Sequence, residues 1–195
     1  MSEKNICEEC GARIRFAEGV HLGGPGQAGR LLCFKCFNEY VSKKMGLDFE
    51  HPDFLPVTME DCEGRSHRFE IRTMLTGEVV TLRALELLEN GAVGYESEVL
   101  GDPEDDPMEL FQRLYERLRR ELGRKHLVET DLGTRIGEES VVRARITWDD
   151  ERDGRVPLLV IDGRAVTWNE LGRMLMSYEG WNLRMEIFGR SDERW

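Results

Sequence analysis

The sequence predicts an α+β protein with three parts. These are a cysteine-rich N-terminal module, an antiparallel β-meander followed by a helix, and a small strand-strand-helix-strand unit. Three observations carry this reading. Four of the five cysteines fall into two C-x2-C pairs, Cys7 with Cys10 and Cys33 with Cys36. Alternation of apolar and polar residues, the period of a half-buried strand, recurs through residues 67–75, 78–84 and 95–99. Apolar residues at three- and four-residue spacing then mark amphipathic helices over 107–122 and 168–178. The resulting divisions are 1–46, 47–132 and 133–195.

A chain of 195 residues has room for one large domain or two to three small ones. With 40% hydrophobic and 33% charged residues its core is modest. MSEKNICEEC carries charge where the apolar run of a signal peptide would begin, and the longest aliphatic run, VPLLVI, is too short to cross a bilayer. The expectation is a soluble cytoplasmic protein in a reducing compartment, with no membrane partner. There, paired cysteines read as metal ligands or redox groups rather than disulfides. The net charge of −11 is uneven. Residues 1–46 carry seven Lys/Arg against five Asp/Glu, 47–112 four against seventeen, and 113–195 sixteen of each. So acidic a middle repels phosphate backbones.

The elements follow in order. ARIRF and VHL suggest a hairpin, and FKCFNEYVSKKMG an amphipathic helix with Phe37, Tyr40, Val41 and Met45 on one side. HPDFLPV, with two prolines, reads as a linker or an extended crossing piece. In HRFEIRTML, Phe69, Ile71, Thr73 and Leu75 share a face; Val80, Leu82 and Ala84 continue the pattern after a turn at Thr76-Gly77. Asn90-Gly91 signals a hairpin before Tyr95, Ser97 and Val99, and the opposite face, with Glu96 and Glu98, is expected to be solvated. Asp106 can cap the next helix, with Pro107 at its first position. Its expected stripe is Met108, Phe111, Leu114, Tyr115, Leu118 and Leu122, with Glu116–Arg120 and Glu121–Lys125 as surface pairs. Its arginines, Arg113, Arg117, Arg119, Arg120 and Arg124, read as a solvated or domain-bridging face.

In the last third, Val142, Ala144, Ile146 and Trp148 are expected inward on one strand, and VPLLVI forms another. Asp162-Gly163 turns the chain. Thr167 and Glu170 make a capping box for a helix with Trp168, Leu171, Leu175 and Tyr178 as its stripe. NLRMEIF is expected to return as a strand with Leu183, Met185 and Ile187 inward. Trp148, Trp168, Trp181 and Trp195 admit core packing or a hydrophobic partner groove.

The chemistry lies in C-x2-C-x22-C-x2-C. Two residues between ligands let both sulfurs of a pair reach one ion about 2.3 Å away, and two pairs complete a tetrahedron. Four thiolates suit zinc or an iron centre, zinc being the commoner occupant. The expectation is one structural Zn2+ held by Cys7, Cys10, Cys33 and Cys36, with no open position for catalysis. A thioredoxin-like reading of either pair lacks its βαβ context. Gly24, Gly26 and Gly29 spell G-x-G-x-x-G without a preceding parallel strand, and read as a hairpin tip. DDERDG has Val160 where a calcium loop needs Glu. His21, His51, His67 and His126 lack a metal-binding helical spacing. His51 with Asp53, or His67 with Cys62, remain candidates for a site assembled in space.

The order knuckle at Cys7–Gly11, hairpin, and helix carrying the second pair resembles the treble-clef zinc fingers over residues 5–46. That resemblance implies a structural metal but selects no function. HPDFLPVTMEDCEGRSHRFEIR, YESEVLGDPEDDPMELFQRLYERLRREL and VIDGRAVTWNELGRMLMSYEGWNLRMEI look like segments of uncharacterised bacterial proteins of unknown function. This implies a bacterial, zinc-containing, cytoplasmic protein. The functional expectation is a non-enzymatic adaptor or regulatory protein that contacts another protein. The alternatives are nucleic-acid binding through Arg13, Arg15, Arg30, Lys35, Lys43 and Lys44, or hydrolysis using His51, Asp53 or His67.

Overall fold

The structure, a computed structural model, describes residues 5–14, 19–23, 29–89, 91–149 and 152–192. It is mixed α+β, with antiparallel pairing and, among the described residues, three α-helices. The chain divides into two compact units. One comprises Met1–Leu55, Ile71–Arg83 and Glu98–Leu114; the other comprises Pro56–Glu70, Ala84–Ser97 and Tyr115–Trp195.

In the first unit, strands β1 (Gly19–Leu22) and β2 (Arg30–Cys33) pair as an antiparallel hairpin, with Val20 opposite Leu32. Helix α1 (Phe34–Met45) follows without a break and ends at Gly46, whose φ of 69° is the left-handed conformation that favours glycine. Its buried face is more polar than the sequence suggests: Asn38 and Ser42 are buried, whereas Met45 is half exposed. Asn38 is the reason. Its Nδ2 donates to Thr73 O at 3.0 Å and its Oδ1 accepts from Leu75 N–H at 2.8 Å, so one amide satisfies two backbone groups of the meander. Phe54, in the proline-flanked stretch, stacks on Phe111 with centroids 5.0 Å apart.

The meander is a four-stranded sheet in sequential order: β3 (Val57–Glu60), β4 (Ser66–Thr76), β5 (Val79–Leu87) and β6 (Val93–Gly101). β3, hidden beside the prolines, was not expected. Phe69, Thr73, Leu75, Val80, Leu82, Ala84, Tyr95, Ser97 and Val99 are buried as the alternation requires. The opposite face corrects the expectation of a solvated acidic surface. Glu98 is ion-paired with Arg83 at 2.9 Å, and Glu96 with Arg145 at 3.2 Å; both carboxylates are nearly buried. Asn90 of the expected Asn-Gly turn lies outside the described residues, while Gly91 adopts φ 79°.

Helix α2 (Pro107–Leu122) is capped by Asp106, whose Oδ1 accepts from Met108 N–H at 2.9 Å. Its buried stripe is Leu110, Leu114, Leu118 and Leu122, a strict four-residue repeat; Met108 and Tyr115 are exposed. Arg117 is buried rather than solvated, donating to Glu121 at 3.2 Å and to Arg190 O at 2.6 Å. Glu121 thus pairs one turn back instead of with Lys125, and also accepts from Ser97 at 3.0 Å.

After α2, the hairpin of β7 (Leu127–Thr130) and β8 (Gly133–Ile136) was not read from the sequence. A three-stranded sheet follows in the order β11-β10-β9, from β9 (Arg145–Thr147), β10 (Leu158–Ile161) and β11 (Arg164–Thr167). Asp162 (φ 51°) and Gly163 (φ 76°) make its tight turn. Helix α3 (Trp168–Leu175) starts at the expected Thr167–Glu170 capping box and packs on β8 and β11. Leu127, Leu159, Ile161, Val166 and Met174 form the core here, joined by Val142, Ala144 and Leu171. Met174, not Trp168, is the deeply buried residue of α3; Ile146 and Trp148 face solvent. The largest correction concerns NLRMEIF. Residues 181–189 join no sheet, and Leu183, Met185 and Ile187 are 69%, 61% and 76% exposed.

Candidate metal centre

Each cysteine pair is positioned by a different local device. Cys7 follows a bridge between Ile6 and Arg13, and Cys7 N–H donates to Ala12 O at 2.9 Å. Gly11 closes the knuckle by donating its N–H to Cys7 O at 2.9 Å with φ 72°. That positive φ is why a glycine follows Cys10. Two bonds of 2.9 Å fasten the knuckle to β2: Glu8 N–H to Leu31 O, and Leu31 N–H to Glu8 Oε1. Cys33 ends β2 and is the N-cap of α1, and Cys36 sits in the first helical turn. Both sulfurs therefore lie where unpaired helical N–H groups and the helix dipole favour negative charge.

These devices bring one sulfur of each of Cys7, Cys10, Cys33 and Cys36 within 4.8 Å of all the others. Cys10 and Cys33 Sγ are 3.8 Å apart, far beyond a disulfide bond, which is about 2.05 Å. Around an ion with metal–sulfur bonds of about 2.3 Å, a regular tetrahedron has edges of about 3.8 Å. The donor set and its spacing fit a four-thiolate metal site. Cys7 and Cys36 are buried, and Ile14 and Leu32 form the core beneath them with Leu22, Leu31 and Phe37 alongside.

The electrostatics point the same way. Burial pushes the Cys7 thiol up, but the backbone amides of Cys10, Cys33 and Glu9 outweigh it and bring the pKa down to about 6. Cys33 and Cys36 are raised, first by burial and, for Cys36, also by the sulfurs of Cys10, Cys33 and Cys7 around it. Charge on one sulfur opposes charge on the next. A bound cation reverses that opposition and lets all four ionise together.

The histidines take no part in this centre. His51 accepts from Asn38 Nδ2 at Nδ1, 2.7 Å away, and its Nε2 is 3.8 Å from the exposed Asp53. Burial is the main influence on its pKa and lowers it. The apolar cleft alongside is lined by Phe49, Pro52, Phe54, Val80 and Leu82, among others, and by neither His51 nor His67. His51 and Asp53 fall in the first unit and His67 in the second. His126 donates Nδ1–H to Val141 O at 3.0 Å, and burial lowers its pKa. His21 is exposed on β1.

His67 joins a cluster that sequence spacing did not reveal. Its Nδ1 is 2.6 Å from Glu86 and its Nε2 3.2 Å from Asp61. The fully buried Asp61 carboxylate also accepts from Lys125 Nζ at 2.8 Å, Arg65 Nε at 3.1 Å, and the amides of Glu63 and Arg65 at 2.9 Å. Burial opposes its ionisation, but Lys125, the Arg65 amide and His67 outweigh this and hold it well below the usual carboxylate range. Lys125 is raised because Asp61 and the Tyr95 hydroxyl, 3.1 Å away, outweigh its own burial. The contributors come from the β3–β4 turn, β4, β5, β6 and the segment after α2. No short motif could have announced them. The groups satisfy one another, which makes the cluster a clamp.

Three models of domains of unknown function match the chain in succession. They are the Domain of unknown function (DUF7685) over residues 6–48, DUF7686 over 50–123, and DUF7713 over 126–192. No curated protein and no solved structure shows significant similarity to it.

Proposed function

We propose that this chain is a zinc-stabilised, non-catalytic protein that acts through contacts with other proteins, as an adaptor or regulatory component of a bacterial cytoplasm. The observation that carries it is the convergence of four cysteine sulfurs within 4.8 Å. Four thiolates fill a tetrahedral ion and leave no position for substrate or activated water. Zinc suits this all-sulfur set, and knuckle, hairpin and helix follow one another as in a treble-clef finger. The metal's chemistry is to hold Cys7 and Cys10 against the start of α1. Within the chain, Glu8, Leu31 and Gly11 orient the sulfurs, and Ile14 and Leu32 exclude water beneath them. Contact with another protein is supported by the exposed apolar run Trp181, Leu183, Met185 and Ile187.

The test is elemental analysis of purified protein with thiol titration. One zinc per chain is expected, with four thiols protected until the metal is chelated. Freely reactive thiols in metal-free, folded protein would remove the assignment. The nucleic-acid alternative finds Arg30 beside Glu9 at 3.3 Å and Lys35 beside Asp53 at 4.0 Å, so both cations already face carboxylates. Retention on DNA or RNA with a steep salt dependence would favour it instead.

A further inference from the structure

Residues 181–187 are all exposed and belong to no helix or strand. Trp181, Leu183, Met185 and Ile187 recur at every second position and are 71%, 69%, 61% and 76% exposed. Arg184 and Glu186, two apart, form an ion pair, so alternate residues share a face as in a β-strand. The segment is no frayed tail. At one end Trp181 N–H donates to Tyr178 O at 2.9 Å, and the two rings meet edge to face at 5.5 Å. At the other, Arg190 donates to Glu96 at 2.6 Å and its carbonyl accepts from Arg117 at 2.6 Å. A strand-like segment held at both ends with its apolar row in water is a template for another strand.

The charge pattern identifies that strand. Reflected about Met185, the segment is complementary to itself: Arg184 falls opposite Glu186, Leu183 opposite Ile187, and Met185 opposite Met185. Antiparallel pairing of two copies keeps like faces together and sets two opposite-charge pairs across the join. A two-fold axis requires this kind of self-complementarity. We propose that residues 183–187 are a self-association strand, through which two copies of this chain pair antiparallel about a two-fold axis at Met185. The proposal rests on the reading of this chain as one that works through its surface, and it names the partner.

Sedimentation of the full chain over a concentration series, with zinc measured in the same samples, tests it. A reversible dimer is expected. Arg184→Glu sets Glu against Glu twice and should weaken the dimer about tenfold, and Arg184→Glu combined with Glu186→Arg should restore it. Both side chains are exposed, 88% and 62%, so the fold should tolerate the changes. In a second measurement, Met185→Cys should give a disulfide-linked dimer on mild oxidation, above the background of the unaltered chain and of Leu183→Cys. Only position 185 opposes itself closely enough for a disulfide. A monomer at every concentration, a dimer indifferent to Arg184→Glu, or no cross-link at 185 would each overturn the proposal. A zinc-loaded monomer would overturn the self-pairing alone; a metal-free dimer would overturn the cysteine assignment alone.

Discussion

Lys125 Nζ lies 2.8 Å from Asp61 Oδ2, and the Asp61 side chain has no solvent exposure. The pair ties the segment after α2 to the end of β3. Removing Lys125 takes one cation from a buried carboxylate that Arg65 and two backbone amides still contact. Lys125→Met should therefore cost about 1–3 kcal/mol in urea unfolding, and Asp61→Asn combined with Lys125→Met less than the sum of the single changes.

Stability should fall on acidification in two windows. His51 and His126 have lowered pKa values because burial disfavours the imidazolium. The unfolded chain then takes up protons more readily, and stability present above pH about 6.5 is lost as pH falls through the folded values. His126→Asn, which keeps a donor for Val141 O but does not titrate, should flatten this slope. Asp61, held low, contributes stability above the ordinary carboxylate range near pH 4, and that contribution drains away below it. Glu121, raised by burial, acts in the opposite sense and softens the second window. Thermal midpoints measured between pH 8 and pH 3 check both.

Chelation should loosen the N-terminal module first. Cys7 and Cys36 are part of the small core with Ile14 and Leu32, so ion removal costs packing as well as ligation. Hydrogen exchange should rise across β1, β2 and α1 on treatment with a strong chelator. Cys36→Ser should reproduce the effect without chelator; protection unchanged in both cases would contradict a structural metal.

Asn38→Ala should loosen α1 from β4. It leaves Leu75 N–H and Thr73 O without their partner, at about 1–3 kcal/mol for each buried group. Asn38→Asp keeps an acceptor for Leu75 and should cost less than Asn38→Ala near pH 4 but not at pH 8. Chemical unfolding at both pH values separates these outcomes.

The cysteine cluster was legible because the spacing that one metal ion asks of its ligands is a property of the chain. The strands with one buried face were legible for a similar reason: alternation at Phe69–Leu75 or Val80–Ala84 reflects a local period of two. The Asp61–His67–Glu86–Lys125 clamp was not, since its members come from separate elements and none has a telling neighbour. The stripe of α2 shifted from Met108 and Tyr115 to Leu110 because several apolar rows were available, and only packing decides which turns inward. The acidic face of β6 was misread because Glu96 meets Arg145, forty-nine positions along the chain.

The sequence by itself determined the four clustering cysteines, the α+β class, the capping box at Thr167 and the periodicity of the meander strands. These depend on residues within a few positions of one another, or on ligand chemistry that tolerates few alternatives. Only the tertiary structure decided which charges are buried together and which apolar rows find a partner. Burial depends on what the fold brings near, and a period of two records a strand's readiness to pair without saying with what. Leu183, Met185 and Ile187 show the difference: their pattern reads as an inner strand, yet among the described residues no neighbouring strand receives them.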